Sequence, residues 1–211
     1  KKRYEAYLGN QNESLLLEHN LKRLHTGEAT TPVVADAKQG SAEVFFNVSG
    51  TLLQENSIEI ALIYGRLALH LRPRFPLARV LVGRMLESVG RAEEAIVVYD
   101  GVDKASPLWW SARLRRAGGL EVLGREEEAI AQLRQMAGER KSRSDALANL
   151  GDILRAAKRF KESVVAYDSA IKRIGPMGRR HWTLLYSRGI ALERSNQWAR
   201  AEADFIAALE L

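Results

Sequence analysis

Residues 147–176 read LANLGDILRAAKRFKESVVAYDSAIKRIGP, and their spacing decides the fold. Around Ser163 stand Gly151 twelve residues before, Leu154 nine before, Lys158 five before and Ala170 seven after. The same arrangement recurs through the chain. The phrases SIEIALIYG, RAEEAIVVYD, REEEAIAQLR and QWARAEADFI centre on Ala61, Ala95, Ala129 and Ala201, so the five anchors are spaced by 34, 34, 34 and 38 residues. The last step is lengthened around GPMGRR. Self-similarity at such a period marks a repeat architecture.

An independent set of positions keeps the same phase. Nine residues before each anchor is a leucine: Leu52, Leu86, Leu120, Leu154 and Leu192. Twelve before it are the small residues Ser49, Gly83, Ala117, Gly151 and Gly189. Five before it are Asn56, Gly90, Gly124, Lys158 and Asn196, mostly residues that tolerate the left-handed conformation ending a helix. Seven after it are Ala68, Val102, Met136, Ala170 and Ala208, and Pro73, Pro107 and Pro176 close three of the units. Each unit therefore reads as two helices, A and B, joined by a turn. Small residues let the helices approach, and the leucine fills the seam.

This pattern resembles the tetratricopeptide repeat, whose signature is W-x2-L-G-x2-Y, then A-x3-F, then P, over 34 residues. LANLGDIL with SVVAY matches it best, followed by LYSRGIAL with AEADF and VLVGRML with AIVVY. The resemblance implies an all-α fold, a right-handed α-solenoid of helix–turn–helix repeats in which neighbours stack to bury faces that no single pair can bury. Residues 41–211 are expected to form five repeats, at about 42–75, 76–109, 110–143, 144–181 and 182–211. Residues 1–40 are expected to hold two short helices, around KKRYEAYL and NESLLLEHNLKRL, and a connector at 26–40, the first helix reading as the close of an upstream repeat. The chain opens and closes mid-pattern, which reads as a piece of a longer protein. Leu211 falls within the last helix, so the terminal apolar face would be covered either by chain lying beyond it or by self-association of a second copy. Alanine- and arginine-rich repeats of this kind resemble those of bacterial proteins.

Composition narrows the function. The balance of 46% apolar and 27% charged residues is that of a globular protein, and no apolar run approaches the length of a membrane span. No cysteine is present, which excludes disulfides, thiolate metal sites and cysteine nucleophiles from this stretch but leaves the compartment open between cytoplasm and periplasm. The four histidines, His19, His25, His70 and His181, make no H-E-x-x-H pair. There is no phosphate-binding G-x-x-x-x-G-K-[ST] and no G-x-S-x-G elbow. Glu93, Glu94, Glu126, Glu127 and Glu128 begin B helices, where carboxylates suit the helix dipole. Neither catalysis nor a cofactor is implied.

What remains is the surface the repeats create. The resemblance implies a concave groove, lined by the A helices, that binds an extended peptide or a helix of a partner protein. Counting turns from the buried leucines places Phe46, Asn47, Gly50, Val80, Arg84, Glu87, Leu114, Arg115, Gly118, Glu121, Asn149, Asp152, Arg155, Tyr186, Ser187 and Glu193 on it. The set mixes signs, which argues against a phosphate-tracking stripe. It also departs from the co-chaperone members of the family: Asn149 matches their carboxylate-gripping asparagine in type, but Asp152 stands where a second asparagine belongs. The expected function is thus a non-enzymatic protein-interaction scaffold. Two alternatives stay open: a nucleic-acid-binding solenoid, and a regulatory array whose active domain lies outside this stretch.

The nucleic-acid alternative rests on a pI near 9.7 and on Ser106–Arg116, SPLWWSARLRR, where two tryptophans stand close to three arginines. Burying one such ring contributes up to about 4–6 kcal/mol, whereas stacking a base on it returns only about 1–3 kcal/mol. Packing is the expected role. Arg113 and Arg116 fall at seam positions, with their stems along the seam and their heads expected in solvent.

Overall fold

The computed structural model describes residues 25–26 and 34–211. The two expected N-terminal helices lie outside the described residues. Ten α-helices follow one another between Ala37 and Glu210: α1 (Ala37–Gln54), α2 (Ile58–Leu71), α3 (Pro76–Ser88), α4 (Ala92–Asp100), α5 (Trp109–Val122), α6 (Glu126–Glu139), α7 (Asp145–Ala156), α8 (Phe160–Ile174), α9 (Trp182–Arg194) and α10 (Trp198–Glu210). A short 3-10 turn, Arg179–His181, sits in the lengthened connection before α9. No strand occurs among the described residues. The fold is all-α and of the tetratricopeptide-repeat type. Helix α1 starts inside the expected connector, because the Asp36 side chain accepts the Gln39 N–H at 2.7 Å and caps the helix.

Two compact units make up the chain, Lys1–Arg115 and Arg116–Leu211. In the first, α1 packs on α2, α2 on α3 and α3 on α4. In the second, α6 packs on α7, α7 on α8, α8 on α9 and α9 on α10. All five anchors and all five small residues twelve before them are buried. So are the leucines, except Leu52 in the first hairpin.

Each A helix ends in the same way. Asn56, Gly90, Gly124, Lys158 and Asn196 have φ of 58°, 74°, 68°, 59° and 63°. The next residue, Ser57, Arg91, Arg125, Arg159 or Gln197, donates its N–H to the carbonyl of Leu52, Leu86, Leu120, Leu154 or Leu192 at 2.8–2.9 Å. The left-handed residue itself donates to the following carbonyl of the helix, as Gly90 does to Glu87 and Lys158 to Arg155. This double closure satisfies carbonyls the helix would leave orphaned. Lys158 carries a Cβ into a region that costs a β-carbon roughly 1–2 kcal/mol. Lys158→Gly is therefore expected to stabilise the second unit by about 0.5–1 kcal/mol, net of the extra freedom gained by the unfolded chain. A lower urea midpoint for the variant would contradict this.

Within a hairpin the small residue is matched to the side chain sixteen positions later. A β-carbon on Gly83 would run into the Tyr99 ring, one on Gly151 would lie 2.5 Å from the Tyr167 ring, and one on Gly189 would lie 2.6 Å from the Phe205 ring. The first hairpin has Ser49 with Gly65, and the third has the buried pair Ala117 and Leu133. The close approach also brings hydroxyls onto the opposite backbone: Ser49 Oγ donates to the Ala61 carbonyl at 2.7 Å, and Ser163 Oγ to the Gly151 carbonyl at 2.8 Å.

Position thirteen before the anchor distinguishes the hairpins. Val48, Val82 and Leu150 fill it in three, facing positions held by Tyr64, Val98 and Ala166. In the other two it is an arginine with a polar mate. Arg116 Nη1 donates to Gln132 Oε1 at 2.6 Å, and Arg188 forms a two-pronged bond to Asp204 at 2.7 and 2.6 Å. Arg188 and Asp204 are only 17% and 8% exposed, and Arg188 also reaches Asp168 at 2.8 Å. The solvent-facing heads expected for the Ser106–Arg116 segment need correction: Arg116 is held by Gln132, and the Arg113 guanidinium stacks 4.5 Å from the Trp109 ring centre. Trp110 is 1% exposed.

Candidate functional site

The residues assigned to the groove lie on the first helices of the pairs, and each unit carries its own set. On the first unit, Arg115 Nη1 meets Glu87 Oε2 at 2.9 Å. The phenol of Tyr99 rises from α4 beneath this pair. Its ring is seated against Gly83, and its buried hydroxyl lies beside Glu87 and Arg115 while making a hydrogen bond with neither. Burial, followed by the Glu87 charge, pushes its pKa well above that of a free phenol. Phe46 packs on Phe75 with ring centres 5.1 Å apart, Val80 and Leu114 are half-buried, and Asn47 and Arg84 are exposed.

The second unit repeats the design with a different outcome. The Tyr167 hydroxyl, seated against Gly151, donates to Asp152 Oδ1 at 2.7 Å and receives the Arg155 Nε–H at 3.4 Å. Arg155 Nη2 lies 3.8 Å from Asp152. The units differ eleven positions before the anchor, where Asp152 stands in one case and Arg84 in the other, so the carboxylate that accepts from Tyr167 has no counterpart at that place in the first unit. Asn149 turns its amide back onto the Asp145 carbonyl at 2.9 Å, tied to its own helix. Tyr186 is exposed and flanked by Trp182 and Phe205, with ring centres at 6.4 and 5.8 Å.

The structure thus brings Glu87 together with Arg115, and Asp152 with Arg155. Phe46, Asn47, Arg84 and Glu193 join neither pair among the described residues. Tyr99 and Tyr167 were missed by sequence reasoning, which took that position only as the closing aromatic of the motif. Their signal was the glycine sixteen residues earlier, since a ring seated against that glycine brings its hydroxyl within reach of neighbouring A-helix side chains, as Tyr167 reaches Asp152 and Arg155.

Electrostatics gives the second set a pH signature. Burial raises the pKa of Asp152, opposed by the Tyr167 hydrogen bond and Arg155. Burial and the Asp152 charge raise that of Glu121. A carboxylate whose pKa is raised by folding binds its proton more tightly in the folded state. Its charge therefore weighs against folding at neutral pH, and that burden is lifted as pH falls through the raised pKa. Asp152→Asn keeps an acceptor for Tyr167 and removes the charge. It should be at least as stable as the parent at pH 7, with the advantage shrinking towards pH 4. Urea midpoints at pH 7, 6, 5 and 4 read this; an advantage that grew on acidification would contradict it.

Among the described residues no three His, Asp or Glu side chains are grouped so as to hold a metal ion, and no helix is long and apolar enough to cross a membrane.

Solved structures share this fold. Residues 41 to the end of MamA from Desulfovibrio magneticus RS-1 superpose with a TM-score of 0.66 at 20% identity, over 84% of this chain and 97% of that one. A tetratricopeptide repeat protein from Parabacteroides merdae gives a TM-score of 0.67 at 16% identity, over 99% of this chain and 77% of that one. YrrB, described as a tetratricopeptide protein with an unusual peptide-binding site, gives 0.54 at 16% identity, over 84% and 93%. No family model and no curated protein matches the chain.

Proposed function

We propose that this tetratricopeptide-repeat chain is a protein-interaction scaffold that takes an extended segment of a partner protein on the exposed faces of its A helices. The observation that carries the reading is the buried tyrosine under α7. Tyr167 holds Asp152 and Arg155 from below, at 2.7 and 3.4 Å, so a polar pair is oriented on a surface where neither side chain is needed to close the core. Side chains fixed before a partner arrives lose less freedom on binding. The peptide-binding site described for YrrB, a protein of the same fold, agrees with such a use.

The groove of mixed sign fits a partner segment that carries both charges. On the first unit Glu87 and Arg115 are already paired with each other, and Arg84 is a further exposed cation. The nucleic-acid alternative loses its motivating segment, because Trp110 is inside and Arg113 stacks on Trp109.

The test is capture of partners from a lysate of the source cells by the parent and by Arg84→Glu/Arg115→Glu/Arg155→Glu. Loss of specific partners from a variant that keeps its helical melting curve is expected; retention of every partner would remove the A-helix faces from the function.

A further inference from the structure

Helix α2 is apolar on two sides. Its inner side presents Ala61, Leu62, Gly65 and Ala68, all buried. Its outer side exposes Ile60, Ile63 and Leu67, at 50%, 58% and 39%. A helix that is hydrophobic all round belongs in an interior. At the place of Ile60, three residues after the turn, α4, α6 and α8 have Glu94, Glu128 and Glu162, each held by an arginine three residues earlier. The first hairpin breaks this rule with Ser57 and an apolar Ile60 in those places, whereas the last keeps a polar pair there, Gln197 with Arg200. Beside the stripe, Val97 of α4 is exposed, and an apolar recess of about 400 Å³ lies between Leu69, Val82, Val97 and Val98, rimmed by Arg66, Glu93 and Glu94.

The spacing of the stripe identifies its occupant. Residues 60, 63 and 67 follow the i, i+3, i+7 pattern of a two-helix seam. Glu59 and Arg66 each immediately precede a seam residue and so lie on the same flank. When two such helices pair antiparallel, like flanks face each other, and the Glu59 flank of one copy meets the Arg66 flank of the other twice over. Glu59 has no ion pair among the described residues; Arg66 Nη2 holds Glu94 at 2.7 Å on an exposed site and can serve both carboxylates. A parallel pair, or a partner with one uniform charge, would leave these two residues unmatched.

We propose that the outer face of α2 is a two-fold self-association surface, in which a second copy of this chain pairs its α2 antiparallel through Ile60, Ile63 and Leu67. This goes beyond the scaffold function and uses none of the A-helix residues. Four exposed apolar side chains per copy make an interface below the standard size, so the dimer is weak and forms at roughly tens to hundreds of micromolar protein.

Sedimentation equilibrium of the chain over that range tests it. Ile63→Glu is expected to weaken dimerisation about tenfold or more, since it places a charge in the seam. Val165→Glu, at the matching exposed position of α8, is expected to have no effect. Glu59→Arg should weaken the dimer, and Glu59→Arg/Arg66→Glu should restore it. The charge variants alter only exposed side chains, so they keep the test decisive if Ile63→Glu melts abnormally. A monomer at every concentration, whatever covers the stripe, overturns the proposal, as does a dimer indifferent to Ile63→Glu and to the charge exchange.

Discussion

Replacing Arg188 with alanine should lower the free energy of unfolding by about 3–5 kcal/mol, the usual cost of stripping one partner from a buried ion pair. The reason is what stays behind. Asp204 is 8% exposed and takes two hydrogen bonds from that guanidinium, so the variant buries a carboxylate with no cation against it. Asp168 loses less, because Arg200 Nη2 still reaches it at 3.0 and 3.1 Å. The fourth hairpin supplies the control. There the same two positions are Leu150 and Ala166, both buried, so Arg188→Leu/Asp204→Ala converts the polar seam into an apolar one already used by this fold. The double variant should recover most of the loss, since a buried pair seldom outperforms well-packed apolar residues. Chemical denaturation of the three proteins measures both effects. A single variant within about 1 kcal/mol of the parent would mean that water reaches Asp204 freely.

Gly151→Ala should destabilise by about 1–3 kcal/mol, against the gain of roughly 0.5–1 kcal/mol that alanine brings to an open helix position. The new methyl would lie 2.5 and 2.6 Å from two ring carbons of Tyr167, and a phenol seated between two helices cannot swing aside as a flexible chain end can. Gly118→Ala is the comparison: no atom lies within 4 Å of its added carbon, and that substitution should stabilise. Tyr167→Leu will cost stability by itself through the hydroxyl bond to Asp152. Combined with Gly151→Ala it reproduces the Ala117 and Leu133 pairing of the third hairpin, so the two losses should be distinctly less than additive. Strict additivity would show that the ring is not what excludes the methyl.

The repeat frame was legible because its marks are backbone requirements. Asn56, Gly90, Gly124 and Asn196 announced a left-handed residue by their chemistry; Lys158 did not, and was placed only by its phase with the others. The seam polarity was less legible. Arg116 was read as a misfit whose head escapes to solvent, because sequence position shows where a side chain starts and not whether Gln132 waits sixteen residues later. Arg188, thirteen before Ala201 as Arg116 is before Ala129, plays the same part and is held by Asp204 sixteen residues later. Within the candidate site, the charges were assigned to the right helices, yet their pairing was hidden. Glu87 and Arg115 are 28 positions apart, and only the stacking of one A helix on the next brings them together.

The matched small-and-large pairs bear on how such a chain can change over generations. Gly83 and Tyr99, Gly151 and Tyr167, and Gly189 and Phe205 are each separated by sixteen residues, which places both members inside one repeat. Duplication or loss of a whole 34-residue block copies or deletes a fitting lock together with its key. A crossover in the turn between the helices separates them, setting Ala117 against a tyrosine or Gly151 against Leu133. Recombination is thus tolerated at the connections between hairpins and penalised within them, and the same boundary is where chimeric arrays built from these repeats should be cut.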